Sequence, residues 1–173
     1  MDLQSKKVIM IIAPENFRDE EYFHAREALE KRGVKVEVAS TQKKAVSGIE
    51  HKEIEVDKLV SEIDSSYDAI AFVGGGGAKV YFENEKALAL AKTYYESGKI
   101  VAAICIAPLI LGHAGIMHGK KATCWESHQA ELENFGAHFT GELVTVDGKI
   151  ITGNGPKAAY KFGEAIADAL YIF

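Results

Sequence analysis

Cys105 closes one apolar run and opens another within residues 100–111 (IVAAICIAPLIL). The first run reads as a buried parallel strand. The second reads as a helix with Pro108 in its first turn, where a missing N–H costs nothing. A cysteine at such a corner projects from the carboxyl edge of a sheet, beside unpaired N–H groups and a helix dipole that favour an anion. A thiolate is such an anion, and a depressed thiol pKa is what makes cysteine nucleophilic. The alternative is a buried structural cysteine.

Two other stretches carry groups with chemical use. Four glycines at positions 74–77 allow backbone N–H groups to approach a ligand, as an oxyanion hole or phosphate cradle requires. The spacing is neither GxGxxG nor followed by Lys-Ser/Thr, so the phosphate motif is incomplete and a mobile loop is the plain alternative. Residues 16–22 (NFRDEEY) place Asp19, Glu20 and Glu21 at the start of a helix. There, acidic residues are ordinarily dipole partners.

The chain has six histidines. His24 lies one helical turn beyond Glu21, and His128 follows Cys124-Trp125. His51, His113, His118 and His138 read as surface or packing residues. No histidine pair shows metal-ligand spacing beside a carboxylate, so neither metal nor cofactor is expected.

The elements that must position these groups alternate strand and helix. Residues 7–13 (KVIMIIA) form a continuous apolar run ended by Pro14, typical of a strand covered on both faces. A helix capped by Asn16 or Asp19 runs to about Arg32 and stops before Gly33. Residues 34–40 alternate as a second strand, nearer an edge. Short strands are expected at 46–49 and 54–56, and a short helix at 58–63. Residues 68–73 (DAIAFV) read as a third central strand running into the glycines. Residues 83–97 form an amphipathic helix ended by Gly98. Beyond the Cys105 corner come a short strand at 121–125, a helix at 129–135, and strands at 143–146 and 150–152 flanking the hairpin signal Asp147-Gly148. A helix over 157–171 closes the chain. This alternation predicts an α/β architecture, a mainly parallel sheet with helices on both faces and ligands beyond the carboxyl ends of the strands.

At 173 residues the chain suits one well-buried domain over 1–173. Its net charge of −5 gives no basic footprint, so nucleic acid is not an expected partner. No apolar run approaches the ~20 residues of a membrane span, so no membrane partner is expected. Two distant cysteines and no secretory leader pattern point to a reducing, cytoplasmic setting.

Several of these stretches together resemble the ThiJ/PfpI family, the glutamine-amidotransferase-like group that includes PfpI-type intracellular proteases and the Parkinson's-disease redox protein. The matching pieces are AAIC-x-x-P at 102–108, DAIAFVGG at 68–75 and F-x-D-x-E at 17–21. GKKAT at 119–123, VDGKIITG at 146–153 and Gly155-Pro156 match as well, in the family's order. The resemblance implies a flavodoxin-like three-layer sandwich with the cysteine at a strand-to-helix elbow. It places the nucleophile on Cys105, its acidic partner on Glu21, with Glu20 as the fallback, and the oxyanion-binding N–H groups on Gly75 and Ile106. Gly74, Trp125, His128, Gly155 and Pro156 then border the pocket, with His24 within reach. A carboxyl shielded at such a site holds a proton near neutral pH and donates to the sulfur. Family members form dimers or larger homo-oligomers, and the same is expected here.

The chain also departs from the family. Where the protease and glyoxalase-like branches have a histidine directly after the cysteine, this sequence has Ile106, which cannot act as a base. The redox branch also lacks that histidine, and its pocket histidine is replaced here by Trp125. Three functions follow. Cys105 attacks small reactive carbonyls or their adducts, as a glyoxalase or deglycase would; it serves a peptidase or amidase; or it is an oxidation sensor without catalysis. A small carbonyl compound or a peptide is the expected substrate.

Overall fold

The computed structural model describes residues 3–173, and its strands follow the continuous apolar runs. In chain order they begin with β1 (Lys7–Ile11), β2 (Glu15–Phe17), α1 (Asp19–Lys31), β3 (Lys35–Ser40), β4 (Lys44–Ser47), β5 (Glu53–Glu55) and β6 (Lys58–Leu59). The middle of the chain gives β7 (Ala69–Phe72), α2 (Glu85–Glu96), β8 (Ile100–Ile104), α3 (Pro108–His113) and β9 (Lys121–Ala122). The last part gives α4 (Gln129–Asn134), β10 (His138–Phe139), β11 (Val144–Asp147), β12 (Ile150–Gly153) and α5 (Ala159–Ile172).

Seven strands form the central sheet in the order β11-β12-β8-β7-β1-β3-β6. All its pairings are parallel except the β11–β12 hairpin at one edge. Successive residues of β1 show why the strands read as unbroken apolar runs. Val8 and Met10 face one core with Ala25 and Leu29 of α1 and Phe162 and Ile166 of α5. Ile9 and Ile11 face a second core with Leu90 and Tyr94 of α2, Leu109 and Ile110 of α3, and Leu132 of α4. A strand buried on both faces has no polar face to alternate with. The result is a flavodoxin-like α/β fold with helices on both sides of a mainly parallel sheet. Among the described residues, no helix is long and apolar enough to cross a membrane.

Several local expectations need correction. Pro14 does not lead straight into a helix, because residues 15–17 pair with β4 in a small separate sheet with β5. Neither Asn16 nor Asp19 caps α1. The cap position is Arg18, without a side-chain bond, and the Asp19 carboxylate instead accepts the N–H groups of Ile49 (2.8 Å) and Glu50 (3.2 Å). Residues 58–63 give a two-residue strand and a short 3₁₀ turn instead of a helix. The strand expected over 121–125 covers only Lys121–Ala122, so Cys124 lies past its end.

Candidate active site

β8 runs inside the sheet and ends at Ile104, directly before Cys105, whose φ is +67°. A non-glycine residue in this left-handed region costs roughly 1–2 kcal/mol and persists only where its surroundings impose it. Here both flanking peptide groups are tied down. The Cys105 N–H donates to the Gly153 carbonyl of β12 at 2.9 Å, and its own carbonyl accepts the Trp125 N–H at 2.8 Å. The chain therefore turns at the cysteine, and α3 starts only at Pro108. The N–H groups that act on the Cys105 sulfur are those of Gly75 and Ile106, which pull the thiol pKa down.

Glu21 reaches the same point from α1. It is fully buried, and neither carboxyl oxygen has a partner in good hydrogen-bond geometry among the described residues. Gly74 is where the three elements meet. A Cβ there would stand 2.4 Å from Glu21 Oε1, 2.6 Å from Cys105 Cβ and 2.7 Å from the Ile104 carbonyl. Only a glycine leaves room for the carboxyl to sit against the cysteine. The Gly74 carbonyl also accepts the Arg18 N–H at 3.0 Å, which ties the glycine loop to the start of α1.

Burial lifts the Glu21 carboxyl from its ordinary 4.5 to about 7, against smaller opposing pulls from the Cys105 thiol, the Arg18 charge and the Gly74 N–H. Its neighbour Glu20 goes the other way, because the Arg18 guanidinium bonds it at 2.7 Å and holds it below the usual carboxylate range. Adjacent carboxyls pushed apart in this manner suit different roles. Burial, and then the Glu21 charge, push the Cys105 thiol up to about 12. The depressed thiol pKa expected from sequence is therefore not a property of the cysteine alone. It has to be read for the pair. Thiol with carboxylate, and thiolate with carboxylic acid, each carry a single negative charge in the same buried site. Burial penalises both states, and backbone donors favour the charge on the atom they face. Two N–H groups act on the sulfur and one on the carboxyl.

The sulfur opens into a cavity of about 310 Å³ whose walls include Arg18, Glu21, Gly75, Cys105, Ile106, Trp125, His128 and Pro156. A sequence model of the DJ-1/PfpI family matches residues 6–169. The chain belongs to that family. A protein of Methanocaldococcus jannaschii is 40% identical over 173 residues, with 98% of this chain and 84% of the relative covered. A deglycase of Thermococcus kodakarensis is 32% identical, covering 88% of this chain and 92% of its own. The crystal structure of a ThiJ/PfpI domain protein from Brachyspira murdochii superposes with a TM-score of 0.93 at 30% identity, covering 100% of this chain and 99% of that one.

Within this DJ-1/PfpI fold, Cys105, Glu21, Gly75, Ile106, Trp125, His128 and Pro156 share the cavity, and Gly74 stands directly behind it. Glu20 turns away to Arg18 and lines a neighbouring hollow of about 480 Å³ with Trp125, Gly155 and Pro156. Gly155 also lets the half-exposed Trp125 ring lie close, since a Cβ there would be 2.8 Å from it. His24 does not reach the cavity. It is exposed and lines a separate hollow with Ile49 and Lys52, because α1 buries the stripe through Tyr22, Ala25 and Leu29. His128 sits with Nδ1 3.0 Å from Glu131 Oε1. Sequence reasoning missed Arg18, Lys79 and Ser127, which also line the cavity. Arg18 was signalled by its place inside the F-x-D-x-E stretch, whereas Lys79 and Ser127 lie in 3₁₀ helices that no sequence pattern marked. No group of three or more His, Cys, Asp or Glu suited to a metal ion occurs among the described residues.

Proposed function

We propose that this DJ-1/PfpI protein is a cysteine-dependent enzyme acting on small reactive carbonyls or their adducts, with Cys105 as nucleophile and Glu21 as its proton partner. The observation that carries the proposal is the convergence of a buried carboxyl with pKa near 7 and two backbone N–H groups on one strained cysteine. The thiol proton passes to Glu21, the sulfur bonds to the aldehyde carbon, and the carbonyl π pair moves onto oxygen. Gly75 and Ile106 N–H groups hold that oxyanion, and Glu21 then protonates it to give a hemithioacetal. With a 1,2-dicarbonyl, the former aldehyde hydrogen moves as a proton to the neighbouring carbonyl carbon while the hydroxyl proton passes to that carbonyl's oxygen, which turns this adduct into a Cys105 thioester of a hydroxy acid. Water then hydrolyses the thioester. The half-exposed Trp125 and the Arg18 guanidinium give the mouth an apolar wall and a cation for the rest of the substrate.

The deglycase name carried by the Thermococcus relative supports a carbonyl-adduct substrate. Ile106 weighs against the peptidase alternative, because it leaves no base directly beside the nucleophile. An oxidation sensor is the second reading, since the same two N–H groups and a protonated Glu21 suit the oxygens of a cysteine sulfinate. Parallel incubation with methylglyoxal, casein and hydrogen peroxide, with and without Cys105→Ser, separates the three. Methylglyoxal loss that requires Cys105 is expected. Casein cleavage, or Cys105 oxidation with no carbonyl turnover, would overturn the proposal. A cytoplasmic setting and self-association complete the reading, and a strictly monomeric mass by light scattering would count against the second.

A further inference from the structure

The carbonyl chemistry proposed above ends in hydrolysis of a thioester on Cys105, and Glu21 is poorly placed for that step. It lines the cavity but is fully buried there, packed against Gly74. His128 lines the same cavity with about a fifth of its side chain exposed (22%), so it meets solvent there as Glu21 does not. Its Nδ1 is engaged by Glu131 Oε1 at 3.0 Å, one turn further along the chain. In the neutral ring, an Nδ1–H donated to this carboxylate leaves the lone pair on Nε2. A ring lining the cavity in that tautomer can serve as a base.

We infer that His128 is the general base for water in the deacylation half of the reaction, with Glu131 as its positioning residue. His128 Nε2 takes a proton from water as the oxygen bonds to the thioester carbon. The tetrahedral oxyanion is held by the Gly75 and Ile106 N–H groups. Its collapse breaks the C–S bond, the electron pair leaves on sulfur, and the imidazolium returns its proton to the Cys105–Glu21 pair. No oxidant or further reactant is needed. Besides Glu131, the titratable and charged groups around the same cavity are Cys105, Glu21, Arg18 and Lys79, so the pH dependence of deacylation has to be read against theirs. The inference rests on the carbonyl-enzyme reading but concerns a different step.

A chromogenic ester, p-nitrophenyl acetate, tests it with the intact protein, because acylation and deacylation appear separately as a burst and a steady state. Expected is a burst in wild type that persists in His128→Gln while the steady rate falls about 100-fold, within the range for a lost general base. The acetylated Cys105 peptide should then accumulate and be visible by mass. Glu131→Gln should slow deacylation by about threefold to tenfold, the worth of one orienting hydrogen bond. Added imidazole should restore deacylation to His128→Ala, which a merely structural role for the ring would not allow. Equal acyl-enzyme lifetimes in wild type and His128→Gln, or no rescue by imidazole, would overturn the inference alone. Absence of an acyl adduct on Cys105 in wild type would overturn the carbonyl reading and this step with it.

Discussion

The two cysteines of this chain are both reduced, both buried, and both lifted to about 12 chiefly by that burial. Their surroundings differ in every other respect. Cys105 belongs to the core on the α1/α5 face of the sheet, has φ +67°, meets two N–H groups and a carboxyl, and opens to a cavity. Cys124 packs in the core on the other face at 1% exposure, and its thiol donates to the Trp125 carbonyl at 3.3 Å. Its next influences after burial are the charges of Glu131 and Glu133, which raise the thiol further. Among the described residues, no carboxyl is hydrogen-bonded to this thiol to take its proton, and no N–H group acts on its sulfur. A buried thiol becomes a nucleophile when a partner can take the proton without moving the charge out of the site.

The strongest way to break this contrast is to exchange the sulfurs. Cys105→Ser should remove carbonyl turnover by at least ~10³-fold, on the scale of losing a covalent nucleophile. Cys124→Ser should leave the rate within about threefold, since it alters only packing. Comparable losses in both variants, measured as methylglyoxal consumption, would erase the distinction. Next in size is the proton partner. Glu21→Gln should slow turnover by ~10²- to 10⁴-fold, while Glu20→Gln changes it little, because Glu20 is spent on Arg18 in the adjoining hollow. Gly74→Ala sharpens the point without touching a reacting group. Its methyl would collide with Glu21 Oε1 and Cys105 Cβ, so the pair must separate, with a turnover loss between those of Glu20→Gln and Glu21→Gln.

The smallest effect concerns stability. A carboxyl whose folded pKa is raised from 4.5 to about 7 contributes stability fully below 4.5, and loses it as pH climbs through 7. Ionising Glu21 in the folded protein therefore costs up to ~3 kcal/mol at alkaline pH. Glu21→Gln, which cannot ionise, should be more stable than wild type at pH 8 and converge with it near pH 4. Chemical denaturation at both pH values reads the difference, and a less stable Glu21→Gln at pH 8 would contradict the burial of an ionising group.

Most of the fold was legible because its strands are buried on both faces and so appear as unbroken apolar runs. The hairpin at Asp147-Gly148 was legible from two residues, and it formed as β11 and β12. What escaped notice depends on contacts distant in sequence. Asp19 looked like a cap, but the N–H groups of Ile49 and Glu50 claim its carboxylate. The twist at Cys105 is imposed by Gly153 and Trp125, which no local pattern connects to it. Helical spacing put His24 near Glu21, yet it cannot say which flank of a helix the sheet covers. The four glycines were visible as a group, while the one that must be glycine for Glu21 to fit, Gly74, became identifiable only beside α1 and β8.

The central claim is that Cys105 and Glu21 lose their first proton as a unit. Iodoacetamide alkylation followed against pH, with each cysteine resolved by peptide mapping, measures it directly. Cys105 of wild type should alkylate with a midpoint well below that of Cys124, because its carboxyl partner can hold the proton within the same buried site. In Glu21→Gln that midpoint should move upward by several pH units, toward that of a lone buried thiol, with Cys124 slow in both proteins. A Cys105 midpoint that is the same in wild type and Glu21→Gln would mean that the two groups titrate independently.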